Sequence, residues 1–294
     1  MKISKSIKDN SYAIYGLGLS GCSALNFLKK KKVKKIYTWD DKKNRNNKKK
    51  FNLFKRALDE VDYIVISPGI NIQKTKFKLK LSKNKNKIIT DLDLFYMQKI
   101  PIKSIVVTGT NGKSTACKLI QHIFKENRLD AQLGGNIGRP ILDLNIARKS
   151  IVIIEASSFQ LAHTKFIKPS FAVILNITSD HLDWHNTIEN YKKSKFNIFS
   201  KQDRNNVALL SNKQLITLFR KKKYLSKLKI IRGSILNKII NKKINNNYLT
   251  TKPNLENLAF AYQISKIFNI QEKIFLEAVN NFKGLPHRHE VFLK

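Results

Sequence analysis

A chain of 294 residues with 42% hydrophobic content suits about two globular domains, each with its own core, and is neither disordered nor fibrous. Its formal charge of +37, from 57 Lys+Arg against 20 Asp+Glu, raises nucleic acid as a partner. The bases are mostly Lys, dispersed among Asn and Ile through Lys29–Lys35, Lys42–Lys50, Lys83–Lys87 and Lys221–Lys223, without the aromatic interleaving that stacks bases, so no specific nucleic acid is expected.

The opening residues, MKISKSIKDN, contain no apolar leader segment, and no later run approaches the ~18 apolar residues of a membrane span. Cys22 and Cys117 stand apart with no paired spacing, which fits a reducing compartment. A cytoplasmic protein without membrane contact is expected.

A strand at Tyr12–Tyr15 runs into Gly16-Leu17-Gly18-Leu19-Ser20-Gly21, a GxGxxG turn, followed by a helical pattern at Ala24, Leu25, Phe27 and Leu28. A second strand, Val33–Trp39, ends in Asp40-Asp41, near the roughly 20-residue offset at which dinucleotide folds place a ribose-binding acid. A third apolar run, Tyr63–Ile66, ends in Ser67-Pro68-Gly69, and Ile88–Thr90 reads as a fourth strand. Alternating strands and helices imply a parallel sheet with ligands at its carboxyl edge. A nicotinamide enzyme, or glycines that serve only packing, would also produce this turn.

The pattern restarts near Met97–Pro101, where a domain boundary is expected. The next strand, Ile105–Val107, meets Gly109, Thr110, Asn111 and Gly112, then Lys113, Ser114 and Thr115 at the start of a helix carrying Leu119, Ile120, Ile123 and Phe124. Backbone N–H groups of such a loop, with the positive end of the helix dipole, suit a polyphosphate. Lys113 would reach the terminal phosphates and Ser114 or Thr115 would hold Mg²⁺. The loop is two residues shorter than the general phosphate-loop pattern, which would want a glycine where Val107 stands.

Further on, Gly134-Gly135-Asn136-Ile137-Gly138 precedes a strand Ile151–Ile154 that delivers Glu155, a position suited to a Mg²⁺ ligand beside a phosphate loop. The strand Phe171–Ile177 ends in Thr178-Ser179-Asp180-His181-Leu182-Asp183. His181 and His185 have helical spacing, but Leu182 stands where the catalytic zinc motif needs Glu, so zinc is not expected. An amphipathic segment, Thr187–Ser200, holds Tyr191 and Lys195; sequence logic alone does not single out that lysine. Short strands at Asn206–Leu210 and Lys229–Ile231, a polar loop or hairpin at Lys238–Asn247, and helices Asn254–Phe268 (after Pro253) and Glu272–Asn281 complete the chain before GLPHRHE.

Together GTNGKST, GGNIG, ASSFQL, SDHLDWH, the Tyr191–Lys195 segment and GLPHRHE resemble the Mur ligase family, in order and over nearly the whole chain. GLGLSG, SSFQL and GLPHR with Glu290 most resemble the member that joins D-glutamate to UDP-N-acetylmuramoyl-L-alanine through an acyl phosphate. The resemblance implies an α/β protein with a Rossmann-like UDP-substrate domain over residues 1–98 and a phosphate-loop ATP domain over 99–284. Residues 285–294 would begin a linker to a third domain, which the chain lacks.

By motif, Gly109–Thr115, Asn254, Asn257 and Arg288 would bind ATP, and Ser114, Glu155, His181 and Lys195 would hold Mg²⁺. Lys113, His181 and Lys195, the last carbamylated, would serve catalysis. Leu19, Ser20, Asp40, Asp41, Ser67, Gly69 and Asn136 would hold the UDP-linked substrate. The expected partners are therefore UDP-N-acetylmuramoyl-L-alanine, D-glutamate and ATP, acting on a monomer. Pro253, where the family usually has His, and Ala156, where a larger aliphatic is common, depart from the pattern. A sister ligase, a folylpolyglutamate-type ligase, or a nucleotide-binding remnant without turnover are the alternatives.

Overall fold

In the computed structural model, which describes residues 6–232, 234, 237 and 244–285, the chain folds into two parallel sheets in series. Strands β1 (Tyr12–Tyr15), β2 (Ile36–Trp39), β3 (Tyr63–Ile66) and β4 (Ile88–Ile89) pair in the order β2-β1-β3-β4. Helices α1 (Leu19–Lys30), α2 (Lys48–Glu60), α3 (Lys78–Lys83) and α4 (Asp91–Met97) follow them in turn. Every residue of β1 and β3 is buried, as expected of parallel strands covered on both faces. The sequence reading took Lys42–Lys50 only as a charge run, yet α2 begins inside it. Its helical period is carried by Phe54, Ala57 and Leu58, which pack inward while the lysines stay in water.

The second sheet contains β5 (Lys103–Thr108), β6 (Ala131–Gly135), β7 (Ile151–Glu155), β8 (Phe171–Ile174), β9 (Val207–Leu210) and β10 (Lys227–Ile230), ordered β10-β9-β8-β5-β7-β6. Its helices are α5 (Lys113–Glu126), α6 (Ser158–Leu161), α7 (Leu182–His185), α8 (Ile188–Phe196), α9 (Lys213–Lys221), α10 (Lys252–Ile267) and α11 (Glu272–Asn281). One core joins Leu119, Ile120, Ile123 and Phe124 of α5 to Leu258, Phe260 and Ile264 of α10. The opposite face is covered by Phe196, Ile198, Phe199 and Phe219. Strand β5 has β7 on one side and β8 on the other, so the crevice beyond its carboxyl end is a topological switch point.

The strand expected over residues 171–177 stops at Ile174. Leu175 still donates its N–H to Thr108, but the Asn176 carbonyl then accepts from Thr110, so the chain leaves the ladder to lean on the phosphate loop. The strand expected over 33–39 starts at Ile36, and the one expected over 229–231 covers Lys227–Ile230. Residues 238–243 of the expected polar loop, and most of GLPHRHE with Arg288, lie outside the described residues. Among the described residues no helix is long and apolar enough to cross a membrane.

The two sheets meet at buried polar contacts. The Asp93 carboxylate, fully buried, accepts from the backbone N–H of Thr90 (2.9 Å), Lys165 (2.8 Å) and Phe166 (2.7 Å). Gln160 donates to Asp91 (3.2 Å), and Ser23 of α1 donates to Asp143 (2.7 Å).

Candidate active site

The glycine turn after β1 is built by close approach. Gly16 has φ +89°, and a Cβ on Gly21 would run into the Gly16 carbonyl, so helix α1 can start against the strand only with glycine there. Asp40, at the end of β2, accepts from the N–H of Leu17 (2.7 Å), Lys42 (3.0 Å) and Lys43 (3.0 Å). Burial opposes its ionisation, but these N–H groups and the Lys43 ammonium outweigh that and hold the carboxyl below its usual range. Ser67 Oγ, after β3, donates to the Gly16 carbonyl (2.8 Å) and ties the third strand end to the turn.

These strand ends form one wall of a cavity of about 530 Å³ whose other wall belongs to the second sheet. Leu19, Ser20, Asp40, Ser67, Gly69 and Asn136 all line it. Asp41 does not: its carboxylate accepts from Tyr15 O–H (2.6 Å) and Trp39 N–H (2.8 Å). Gln160, Lys42 and Pro140 also line the cavity and were not singled out from sequence. Gln160 lay within SSFQL, which served only as a family mark; its tie to Asp91 needs the sheet-to-sheet packing to be seen. A second cavity of about 500 Å³ is lined by residues such as Asn71, Lys85 and His163 together with Trp184 and His185 of SDHLDWH, but by none of the residues expected to bind ATP, Mg²⁺ or the UDP-linked substrate.

The phosphate loop follows β5. Gly112 caps α5 at φ +83°, and a Cβ there would come within 2.5 Å of Asn257 Oδ1. Asn257 donates to Asn254 (3.1 Å), which donates to the Tyr248 carbonyl (2.9 Å), so the two asparagines of α10 back the loop as a pair. Ser114 and Thr115 stand in the first turn of α5, and the Thr115 hydroxyl meets Tyr248 O–H at 3.2 Å.

Two lysines converge on one oxygen of this loop. The Gly109 carbonyl accepts from Lys113 Nζ (2.9 Å) and from Lys195 Nζ (2.8 Å). Lys195 is 1% exposed, and its ammonium lies 4.5 Å from the centre of the Tyr191 ring. Burial, then the Lys113 charge, push its pKa down to about 7, against an opposing pull from Asp180. The side chain that looked uninformative in sequence is thus a buried amine that gives up its proton far more readily than a free lysine.

Glu155 is 2% exposed at the end of β7. One carboxylate oxygen accepts from Asn136 Nδ2 (2.8 Å); the other is buried without a hydrogen-bond partner. Such an oxygen fits a cation. Among the described residues no three His, Cys, Asp or Glu cluster tightly enough to hold a metal alone. Mg²⁺ takes one or two carboxylates, completed by phosphate oxygens and water, and the unpartnered Glu155 oxygen would supply one of them. His181 sits in the left-handed region (φ +51°), exposed, with Nε2 3.4 Å from Asp180 and its ring 4.8 Å from Phe159.

A glycine-turn nucleotide fold joined to a phosphate-loop domain, with a cavity between them, defines a two-domain nucleotide-binding α/β protein. Residues 107–277 match the Mur ligase middle domain, and residues 10–89 match the Mur ligase MurD-like N-terminal domain. The chain belongs to the Mur ligase family. It is 34% identical to the UDP-N-acetylmuramoylalanine–D-glutamate ligase of Rickettsia bellii, over 96% of this chain and 68% of that protein. Against the ligase of the same name from Buchnera aphidicola it is 35% identical, over 94% of this chain and 67% of that protein. The chain spans about two thirds of the length of these relatives. Its fold matches the UDP-N-acetylmuramate:L-alanyl-γ-D-glutamyl-meso-diaminopimelate ligase of Neisseria meningitides, with a TM-score of 0.60 at 14% identity, covering 94% of this chain and 99% of that one. It also matches the UDP-N-acetylmuramate–alanine ligase of Thermotoga maritima, with a TM-score of 0.50 at 14% identity, covering 94% of this chain and 69% of that one.

Proposed function

We propose that the chain serves the ATP-dependent joining of D-glutamate to UDP-N-acetylmuramoyl-L-alanine, a step of peptidoglycan precursor synthesis. The cavity between the sheets takes the UDP-linked substrate, and Gly109–Thr115 take the ATP phosphates. Phosphoryl transfer to the alanyl carboxylate gives an acyl phosphate with release of ADP. The D-glutamate amine then attacks that carbonyl, and phosphate leaves from the tetrahedral intermediate as the amide forms. The reading places the protein in the cytoplasm, as a monomer.

The observation that carries it is the position of Asn136. It lines the substrate cavity and donates to Glu155 beside the phosphate loop, so acceptor and donor sites adjoin at one residue pair. Lys113 would leave its contacts with the Gly109 and Thr110 carbonyls for the phosphates. Ser114, Glu155 and His181 would hold Mg²⁺, which supplies charge neutralisation of the phosphates when bound. Lys195 would accept CO₂ as a neutral amine, losing a proton to become a carbamate and so a carboxylate-like ligand. Asn254 and Asn257 would fix the loop from behind, while Leu19, Ser20, Asp40, Ser67 and Gly69 would hold the nucleotide of the substrate.

Calorimetric titration tests this, with UDP-N-acetylmuramoyl-L-alanine set against the corresponding UDP-muramoyl-tripeptide and short duplex DNA at physiological salt. Selective binding of the alanyl compound, with MgATP bound independently, is expected. Equal or absent binding of the two UDP compounds, or tight DNA binding alone, would overturn the reading.

A further inference from the structure

The phosphate loop is held by a hydrogen-bonded chain that none of the motif residues includes. Asn176, just past β8, takes both backbone polar groups of Asn111: its Oδ1 accepts from the Asn111 N–H (2.9 Å), and its Nδ2 donates to the Asn111 carbonyl (3.3 Å). Its own carbonyl accepts from Thr110 (2.9 Å). Nδ2 also donates to Glu256 Oε2 (3.1 Å), and Glu256 Oε1 accepts from Ser211 Oγ (2.6 Å). Glu256 stands near the start of α10 and Ser211 just past β9, so the chain links three elements to the backbone of one loop residue.

An asparagine amide fits its site in two orientations, with oxygen and nitrogen exchanged. In the exchanged one, Nδ2 would face the Asn111 N–H, donor against donor, while Oδ1 would face both the Asn111 carbonyl and the Glu256 carboxylate. The Asn111 N–H and carbonyl already favour the observed orientation, and Glu256, an ionised carboxylate that only accepts, reinforces it and anchors Nδ2 from the other side. Charge alone disfavours a carboxylate near a polyphosphate loop, so its value here is directional. We propose that Glu256 is a positioning residue: acting through Asn176, it sets the phosphate loop in its nucleotide-receiving conformation. This rests on the reading of that loop as the ATP site.

Two measurements on the full chain test it. Hydrogen exchange at the Asn111 amide needs no nucleotide: Glu256→Ala is expected to speed it at least about tenfold, and Glu256→Gln to leave it within about threefold, since a Gln can accept from Asn176 and donate to Ser211. MgATP titration is expected to show at least about tenfold weaker binding for Glu256→Ala, with UDP-N-acetylmuramoyl-L-alanine affinity unchanged. Asn176→Asp, which sets two carboxylates face to face, should weaken MgATP similarly, and adding Glu256→Gln to it should recover most of the loss by reversing the polarity of the bond. Unchanged Asn111 exchange in Glu256→Ala, a failure of that double variant to recover, or equal losses for both ligands would overturn the proposal. A wild-type chain that binds no MgATP while Asn111 exchange still responds to Glu256 would strike the ATP reading and leave the positioning role standing.

Discussion

Gly112 shows how one residue sets what the phosphate loop can do. Its φ of +83° lies where L side chains are strained, and the space beside it is already taken by Asn257. Gly112→Ala therefore meets two penalties, backbone strain of roughly 1–3 kcal/mol and displacement of the Asn254–Asn257 pair. The fold rests on the β5–α5 core, which this change leaves intact. The expected outcome is at least about tenfold weaker MgATP binding by calorimetry, with UDP-substrate affinity near wild type. The need for glycine here was legible from the motif. The burial of Lys195 was not, because its neighbours Gly109, Lys113 and Tyr191 are distant in sequence or unremarkable in composition, and only packing lowers the pKa of that amine.

At the scale of elements, the apolar strands were the plainest signal, since a parallel strand buried on both faces writes an unbroken run such as Tyr63–Ile66 or Phe171–Ile174. Helix α2 escaped because its first turn is all lysine and its apolar face is narrow. The strand–turn–helix unit at the amino terminus carries its own prediction. Gly21 faces the Gly16 carbonyl with no room for a methyl group, and Ser67 Oγ occupies the remaining space. Gly21→Ala must push α1 off β1, costing at least about 2 kcal/mol as an overpacked contact between rigid elements. It should lower the urea midpoint of the protein and, if that turn receives the nucleotide as proposed, weaken binding of UDP-N-acetylmuramoyl-L-alanine. Wild-type stability with wild-type affinity would show that the turn does not need the close approach. Asp40 was expected at the site from its offset from the glycines, and it lines the cavity. That its carboxylate is spent on Leu17, Lys42 and Lys43 emerges only from the fold.

For the whole molecule, the joint between the sheets was invisible in sequence, because Asp93 is met through backbone N–H groups and the side-chain pairs Gln160–Asp91 and Ser23–Asp143 are far apart along the chain. At that joint Asp91 and Asp93 are fully buried and His163 is half-buried; burial raises the pKa of both carboxyls and lowers that of the imidazole. Asp93 has its pKa raised to about 6 by burial, against the three N–H groups that favour its charge. Its folded-state pKa exceeds the unfolded value of about 3.9, so the folded chain binds the extra proton between about pH 4 and 6 and loses stability as pH rises through that window. His163 is pushed down to about 4, first by burial and then by Lys165 and Lys85. It stays neutral when folded, so its contribution is present above the unfolded value of about 6.5 and is lost as pH falls towards 4. Between about pH 4 and 6 the two slopes oppose one another, each limited to about 1.4 kcal/mol per pH unit. Asp93→Asn removes one of the compensating slopes, leaving that of Asp91, and is expected to lose stability on acidification more steeply than wild type. His163→Gln removes the other and is expected to lose it less steeply. Urea unfolding of the three proteins at pH 4.5, 5.5 and 6.5 (roughly spanning both windows) checks the order of the slopes. Parallel curves would mean that neither group titrates differently on folding.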